Sequence, residues 1–579
     1  MQWRSHLWLG PFLALLLLFI GALQWNYPLI GHDYHYIFPR MIAGWWHLAH
    51  EGLWPYRYAV HFCGGLPQYG NPHDLFYSLP QFLSFFLDLW TVVLVTQAAI
   101  LIIGYAGWYR FGRDVLGLVP TWAHVLAIVI LTNGFLLMHA LVGHLSYQTM
   151  PLIGWILWFL LGREHLPLSS LLHRSAAFGL LVLIILHASG YFTLMLAMIT
   201  YLMLVPFDLL LSEIPLRERL PELVRRLTLG GAFALLLSGS KLVAVWSVMR
   251  YLPRHIPFIT LSPNVSTALF ILKALFALPQ TPGLFPHADY DADAFEKSML
   301  VSPVVLLGIT VVLKQWTGRL RSHPVRFIVM AGWSVLIGIV FVSILRGEGL
   351  VAGTLHRLPL FASLRNGARF LYVLTLLLSC AGVFGLERLS STLPHWDRKL
   401  ACTASILTLL TFVLGNAPML RSQILSLTLY YDEVQVDLEK SEALRMGPVT
   451  SVLDEENLSD FTYVLSASTG ARCYEPLLST DSLPDHLIAG PVETVRDGAF
   501  NLYNPACFAY PEENDCRPGD RITTADRANF EAFRSGQPVT WKISTFQRTA
   551  DIVTIVGILL CLALLVFPLA KRAIAGVSA

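Results

Sequence analysis

The chain has 579 residues, 55% of them hydrophobic and only 13% charged, with a mean hydropathy of +0.58. Soluble globular chains carry roughly 25% charged residues, so a water-facing surface of ordinary composition is excluded. A formal net charge of +2, with no Lys/Arg cluster beside an aromatic ladder, also excludes a nucleic-acid binder held by phosphate contacts.

A charge-poor chain of this length fits lipid as its solvent, because charged side chains facing hydrocarbon are costly. Spanning helices need roughly 20 mostly apolar residues. The first candidate is Leu7–Trp25, preceded by Arg4 and followed by no small-residue cleavage site, which reads as a retained anchor. Further spans are expected near Thr91–Tyr109, Pro120–Leu141, Gln148–Leu161, Ala176–Ser189, Tyr191–Leu211 and Leu229–Val248. Beyond these come Met299–Leu313, Phe327–Leu345, Phe370–Leu386, Ala401–Ala417 and Ile552–Leu569. The expected fold class is an all-α polytopic membrane protein of about twelve transmembrane helices, with a small α+β extracytoplasmic domain near the C-terminus.

Orientation follows from the basic residues. With the N-terminus inside, every short inside loop is basic, holding Arg110 and Arg113, Arg163 and Arg174, or Arg217, Arg219, Arg225 and Arg226. Lys314 to Arg326, Arg388 to Lys399, and Lys571 with Arg572 continue the pattern. This is the positive-inside bias, and it leaves both termini in the cytoplasm of a bacterial inner or plasma membrane. Residues 1–418 form the transmembrane domain, with a large first outer loop at 26–90. Residues 419–549 form an extracytoplasmic α/β domain, and residues 550–579 the last span and its tail. Within that domain Thr462–Ser466 and Val539–Ile543 alternate like strands, and Cys507 and Cys516 bracket a polar loop that an oxidising compartment could close as a disulfide.

The first outer loop carries the densest polar chemistry. Gly31-His32-Asp33-Tyr34-His35 stands directly after the opening helix, and Ile37, Ile42, Trp45, Trp46 and Leu48 can form the apolar side of an interfacial helix. The run Gly64-Gly65-Leu66-Pro67-Gln68-Tyr69-Gly70-Asn71-Pro72-His73-Asp74-Leu75-Phe76-Tyr77-Ser78-Leu79-Pro80 follows. Two further motifs are Gly143-His144-Leu145 at an outer turn, and Leu364-Arg365-Asn366-Gly367-Ala368-Arg369-Phe370 leading into a late span.

An Asp just outside the first helix, an amphipathic loop helix, a G-x-P…NP…L-F-Y-x-L-P approach to the next spans and an R-x-x-x-R-F late motif together resemble GT-C-fold membrane glycosyltransferases. That superfamily includes oligosaccharyltransferases, protein O-mannosyltransferases and aminoarabinose transferases. The resemblance implies a polyprenyl-phosphate-sugar donor, a glycan, lipid or protein acceptor, membrane lipids as surroundings, and a role in cell-envelope glycan biosynthesis. It implies a catalytic carboxylate at Asp33, with His32 or His35 orienting it, partial desolvation raising the carboxyl's pKa towards that of a base. Arg365 and Arg369, four apart and on one helix face if that helix begins early, are the expected phosphate ligands. His73, Asp74, His144 and Arg57 complete the expected donor-binding set, with Arg250 and Arg254 as further choices. The first loop departs from better-known members in having His-Asp where they carry a paired acidic motif.

Each residue has a structural alternative. Asp33 can cap the helix that follows, His73-Asp74 can form an interfacial turn, the two arginines can anchor lipid headgroups, and His144 can be a satisfied interface residue. His32-x-x-His35 and His47-x-x-His50 have metal spacing but lack the further ligands of a zinc site. Asp289, Asp291 and Asp293 form either a hard-cation site or a solvated acidic turn. No metal ligand is assigned and no cofactor is required, a divalent cation remaining as an alternative. The rival functions are a transporter or flippase of lipid-linked sugars, and a non-catalytic membrane assembly protein.

Overall fold

The computed structural model of the chain describes residues 9–25, 27–55, 58–211, 214–252, 258–277, 289, 290, 292, 294–320, 324–355, 357, 365–393, 396–422, 428–430, 449–454, 460–471, 486–535, 537 and 539–577. Among them, eight helices are long and apolar enough to cross a membrane. The bent pair Pro120–Leu131 and Gly134–Val142 makes a ninth when taken as one span. The three other predicted spans fall on shorter apolar helices, Gly10–Gln24, Leu145–Leu161 and Val304–Gln315. The chain is thus a multi-pass helical membrane protein, with eight or nine full-length spans by this measure where twelve were expected.

Local chemistry explains where the helices break. Thr132 turns its hydroxyl onto the Ile128 carbonyl at 2.8 Å, and Asn133 restarts the chain by accepting from the Phe135 amide at 2.8 Å. The pair therefore bends by 40° instead of running straight. Close helix contact elsewhere needs missing side chains. A Cβ on Gly308 would sit 1.7 Å from the Gly382 carbonyl oxygen, so helices Val304–Leu320 and Leu371–Ser391 meet backbone to backbone.

At one end of the bundle the arginines of the basic loops are built in. Arg219, 1% exposed, donates to the Leu161 and Gly162 carbonyls at 2.7 and 2.6 Å and pairs with Asp208 at 2.7 Å. Arg226 pairs with Glu222 at 2.9 Å and donates to Phe159 and Glu164 carbonyls. These guanidiniums supply donors to carbonyls at the end of helix Ile153–Leu161, which no residue of that helix can satisfy.

The other end gathers the long loops. Helix Tyr34–Glu51 follows the opening helix Leu9–Gln24, as expected, but it is covered on more than one side. Tyr34, Phe38, Met41, Ile42 and Ala43 are fully buried, so it is a core element and not a surface-lying one. Part of its cover comes from the C-terminal segment. Tyr58 donates to the Tyr503 carbonyl at 2.6 Å, the Gly64 amide to Thr469 Oγ1 at 2.8 Å, and the Tyr503 amide to the Gly64 carbonyl at 2.9 Å.

That segment carries two three-stranded sheets, and two strand expectations need correcting there. Residues 462–465 belong to helix Asp460–Leu465, because Ser451–Leu453 and Ser468–Gly470 pair in parallel and a parallel pair requires a crossover. Residues 539–543 are irregular chain: Asn514 clasps the Lys542 backbone at 2.9 and 3.0 Å, and Trp541 packs on Tyr510. Cys507 and Cys516 form a disulfide. Cys473 lies outside the described residues.

His61 reports on this clasp. It is 3% exposed, sits edge-on to Trp46 and lies 3.3 Å from the Ser468 carbonyl, which holds a proton on Nδ1. Burial pushes its pKa down to about 4 from 6.5, against the opposing pull of the Ser468 bond. A depressed imidazole is neutral in the fold, so the stability it contributes is present above pH 6.5 and is lost as pH falls towards 4. We expect a loss on the order of 3 kcal/mol across that window, read as faster hydrogen exchange in residues 58–69 and 468–470. His61→Gln should flatten the profile, and an unchanged profile in that variant would assign the pH dependence elsewhere.

Candidate active site at the mouth of the opening helix

The site is assembled from chain breaks. Strand Leu29–Gly31 ends the first crossing and delivers His32 and Asp33 to the start of helix Tyr34–Glu51. Gly143, at φ 103°, ends helix Gly134–Val142, and the amides of Gly143 and His144 both return to the His139 carbonyl. This left-handed stop suits glycine and places His139 and His144 on one turn. The same turn docks on the first loop, where the Asp33 amide donates to the Val142 carbonyl at 3.0 Å. A third break is the 3₁₀ turn Gly367–Phe370, capped by Asn366 and steadied by Tyr290, which presents Arg369.

These pieces bring two charged groupings together. Asp33 is held between imidazoles, His32 Nε2 at 3.0 Å from one oxygen and His144 Nε2 at 2.5 Å from the other. Glu296, on the short helix Ala294–Lys297, is clamped by Arg369 through Nε at 2.6 Å and through Nη2, and faces His139 Nε2 at 3.4 Å. The groupings meet through the histidines: the rings of His139 and His144 are 5.0 Å apart, and Phe295 packs against His32, His139 and His144. Beside them lies a small cavity lined by Phe19, Leu101, Leu136, His144 and Gln148. Both amide atoms of Gln148 are buried there without a protein partner among the described residues.

The helix-capping alternative for Asp33 fails on geometry. Asp33 occupies the N-cap position but its side chain accepts nothing from the helix, because its carboxylate is turned onto the two histidines. Burial would raise its pKa, yet the His144 and His32 imidazoles outweigh it and hold the carboxyl well below the usual range. The expected upward shift is therefore corrected to a downward one. Glu296 follows the same logic, with burial pushing upward and the Arg369 guanidinium prevailing.

Of the residues singled out from sequence, Asp33, His32, His144 and Arg369 converge. His35 stands apart, edge-on to Phe461, with burial and His32 lowering its pKa. Arg365 is exposed and shares no helix face with Arg369, since the helix does not begin early: Asn366 has φ −120° and caps the following turn. His73 bonds Ser189 at 3.1 Å, and Asp74 pairs at 3.0 Å with Lys241, the buried cation of helix Leu216–Met249. Lys241 also donates to the Tyr69 and Asn71 carbonyls, so it clamps the loop to the bundle and does not join the Asp33 cluster. Arg57, Arg254, Asp291 and Asp293 lie outside the described residues. Sequence reasoning missed His139 and Glu296. Their signal was an imidazole near the end of an apolar span and a Glu-Lys pair just before another.

No protein-family model matches the chain, and no curated protein matches it. Among solved structures it is similar to the arabinofuranosyltransferase AftD from Mycobacteria, determined by single-particle cryo-EM, at 14% identity and a TM-score of 0.46. The match covers 77% of this chain but 29% of AftD, so the chain spans less than a third of that protein.

Removing one partner of a buried ion pair strands the other. Arg369→Ala and Glu296→Ala should each destabilise by about 3–5 kcal/mol. The double variant should lose clearly less than the sum, measured by thermal unfolding in detergent. Additive losses would mean that the two side chains are not energetically coupled.

Proposed function

We propose that this chain is an integral-membrane glycosyltransferase that moves a sugar from a polyprenyl-phosphate-linked donor to an acceptor hydroxyl on the extracytoplasmic face. The observation that carries the reading is Asp33, an ionised carboxylate held by His32 and His144 at the mouth of the opening helix. The basic loops at the opposite end support the sidedness through the positive-inside bias. The GT-C resemblance of the first-loop and late-helix motifs agrees with it.

In this reading the acceptor oxygen forms a bond to the anomeric carbon while the bond from that carbon to the phosphate oxygen breaks. The electron pair leaves with the phosphate, and the acceptor proton goes to Asp33. A strongly acidic carboxyl is a weak base at the outset. It suffices once the new bond is largely made, because the attacking oxygen has by then become acidic. Arg369 spends Nε and Nη2 on Glu296, and its Nη1 has no protein partner among the described residues, which leaves a donor for a phosphate oxygen. The cavity next to His144, apolar on the sides of Phe19, Leu101 and Leu136, is small and has room for about one water molecule. The two Gln148 amide atoms that lack a protein partner among the described residues suit a hydroxyl or water held there.

The test uses the purified chain in detergent with a polyprenyl-phosphate sugar and a hydroxyl acceptor. Sugar should leave the lipid, which requires chemistry, whereas a flippase has no sides to exchange in a micelle. Asp33→Asn, folded by its thermal transition, should lower transfer by about 10²–10⁴-fold. Full activity in that variant, or no release by the unaltered chain with any such donor, removes the assignment.

A further inference from the structure

We propose that His139, His144 and Glu296 form a binding site for a divalent first-row cation with zinc-like ligand preferences. Asp33 stands behind it as the carboxylate that orients His144. One ligand atom from each of the three residues lies within 4.8 Å of the others. Such a set closes around an ion at roughly 2.0–2.2 Å from imidazole nitrogen and carboxylate oxygen with small side-chain movements.

The proton positions decide the matter. His139 Nδ1 lies 2.9 Å from the Phe135 carbonyl, which can only accept, so Nδ1 carries the hydrogen. In the neutral ring Nε2 then presents a lone pair, 1% exposed as a side chain and with no hydrogen-bond partner among the described residues, directly at Glu296 Oε2. Two acceptors 3.4 Å apart in a buried site repel unless a positive species lies between them. His144 repeats the pattern. Its Nε2 must donate to Asp33 Oδ2, which in the neutral ring leaves Nδ1 as a buried lone pair with no protein partner among the described residues.

Each ring is therefore held in the tautomer that frees one nitrogen for a metal, one by a backbone carbonyl and the other by a carboxylate. These are the supports that metal-ligating histidines use. Arg369 takes part of the Glu296 carboxylate, but a carboxylate offers about four lone-pair sites and retains some for an ion. Two imidazoles and one carboxylate make an open set, with a position left for water or an anionic oxygen from the adjoining cavity. The ligand types suit zinc, cobalt or nickel better than calcium or magnesium.

The site stands on ligand geometry alone, so it is tested without any sugar donor. The full-length chain in detergent is stripped with a chelator, then titrated with Zn²⁺ alone and separately with Co²⁺. We expect one tightly held ion per chain, a raised thermal transition with Zn²⁺, and an intense visible absorption from low-coordinate Co²⁺. His139→Ala and His144→Ala should each abolish stoichiometric binding, and Asp33→Asn should weaken it by about 10–100-fold while the ion still binds. The unaltered chain provides the check that needs no variant. If Zn²⁺ leaves its transition unmoved and its retained metal equals that of the His139→Ala/His144→Ala chain, a proton on His139 fills the gap and the metal site is refuted.

Discussion

Two carboxylates buried where the helices open onto the loops dictate how this end of the molecule is built. An ion taken out of water costs several kcal/mol unless its lone pairs are met, and Asp33 and Glu296 meet theirs by importing partners from distant parts of the chain. Asp33 draws on His144, more than 100 residues away, and Glu296 on Arg369. Each partner sits on a turn that ends or begins a helix. The charges therefore impose the positions of three chain breaks: Gly31 to Asp33, Gly143, and Asn366 to Phe370. Bringing those breaks together also brings together the helices that lead to them.

The same constraint works differently at the opposite end. There Arg219 and Arg226 satisfy carbonyls of a neighbouring helix end and pair with acidic residues of their own region, Asp208 and Glu222. Guanidiniums suit that task because their donors fan out in a plane and remain charged at any working pH. One end is closed by always-charged donors. The other is furnished with imidazoles, whose lone pairs and protons can be exchanged.

The apolar runs were legible because lipid imposes a length and a composition on a helix, and each predicted span fell on an apolar helix. What was not legible was where a helix is interrupted, since Thr132-Asn133 bends a run that hydropathy reads as continuous. Asp33, His32, His144 and Arg369 could be found because each stands in a short motif at a span boundary. His139 was hidden inside an apolar run, and Glu296 beside an acidic stretch that drew attention to its aspartates instead. His73-Asp74 showed the converse failure. It has the composition of a site, yet Asp74 pairs with Lys241, a cation on a distant helix whose partner no local pattern discloses, and His73 bonds Ser189. Strand alternation misled at 462–466 for a related reason, because the parallel pairing that demands a helix there is a long-range fact.

Clamping bears on how such a site could work at a membrane surface. Its residues come from the first loop, a bent helix, a short helix before Met299 and a 3₁₀ turn, which lie far apart in the chain. They are fixed because the first loop is gripped twice: from the membrane side by Lys241 on the Tyr69 and Asn71 carbonyls, and from above by the C-terminal segment through Tyr58, Gly64 and Tyr503. A reaction that depends on pre-placed charge gains only if those charges do not relax when the substrate arrives. The C-terminal segment thus removes freedom from the loop that carries His32 and Asp33.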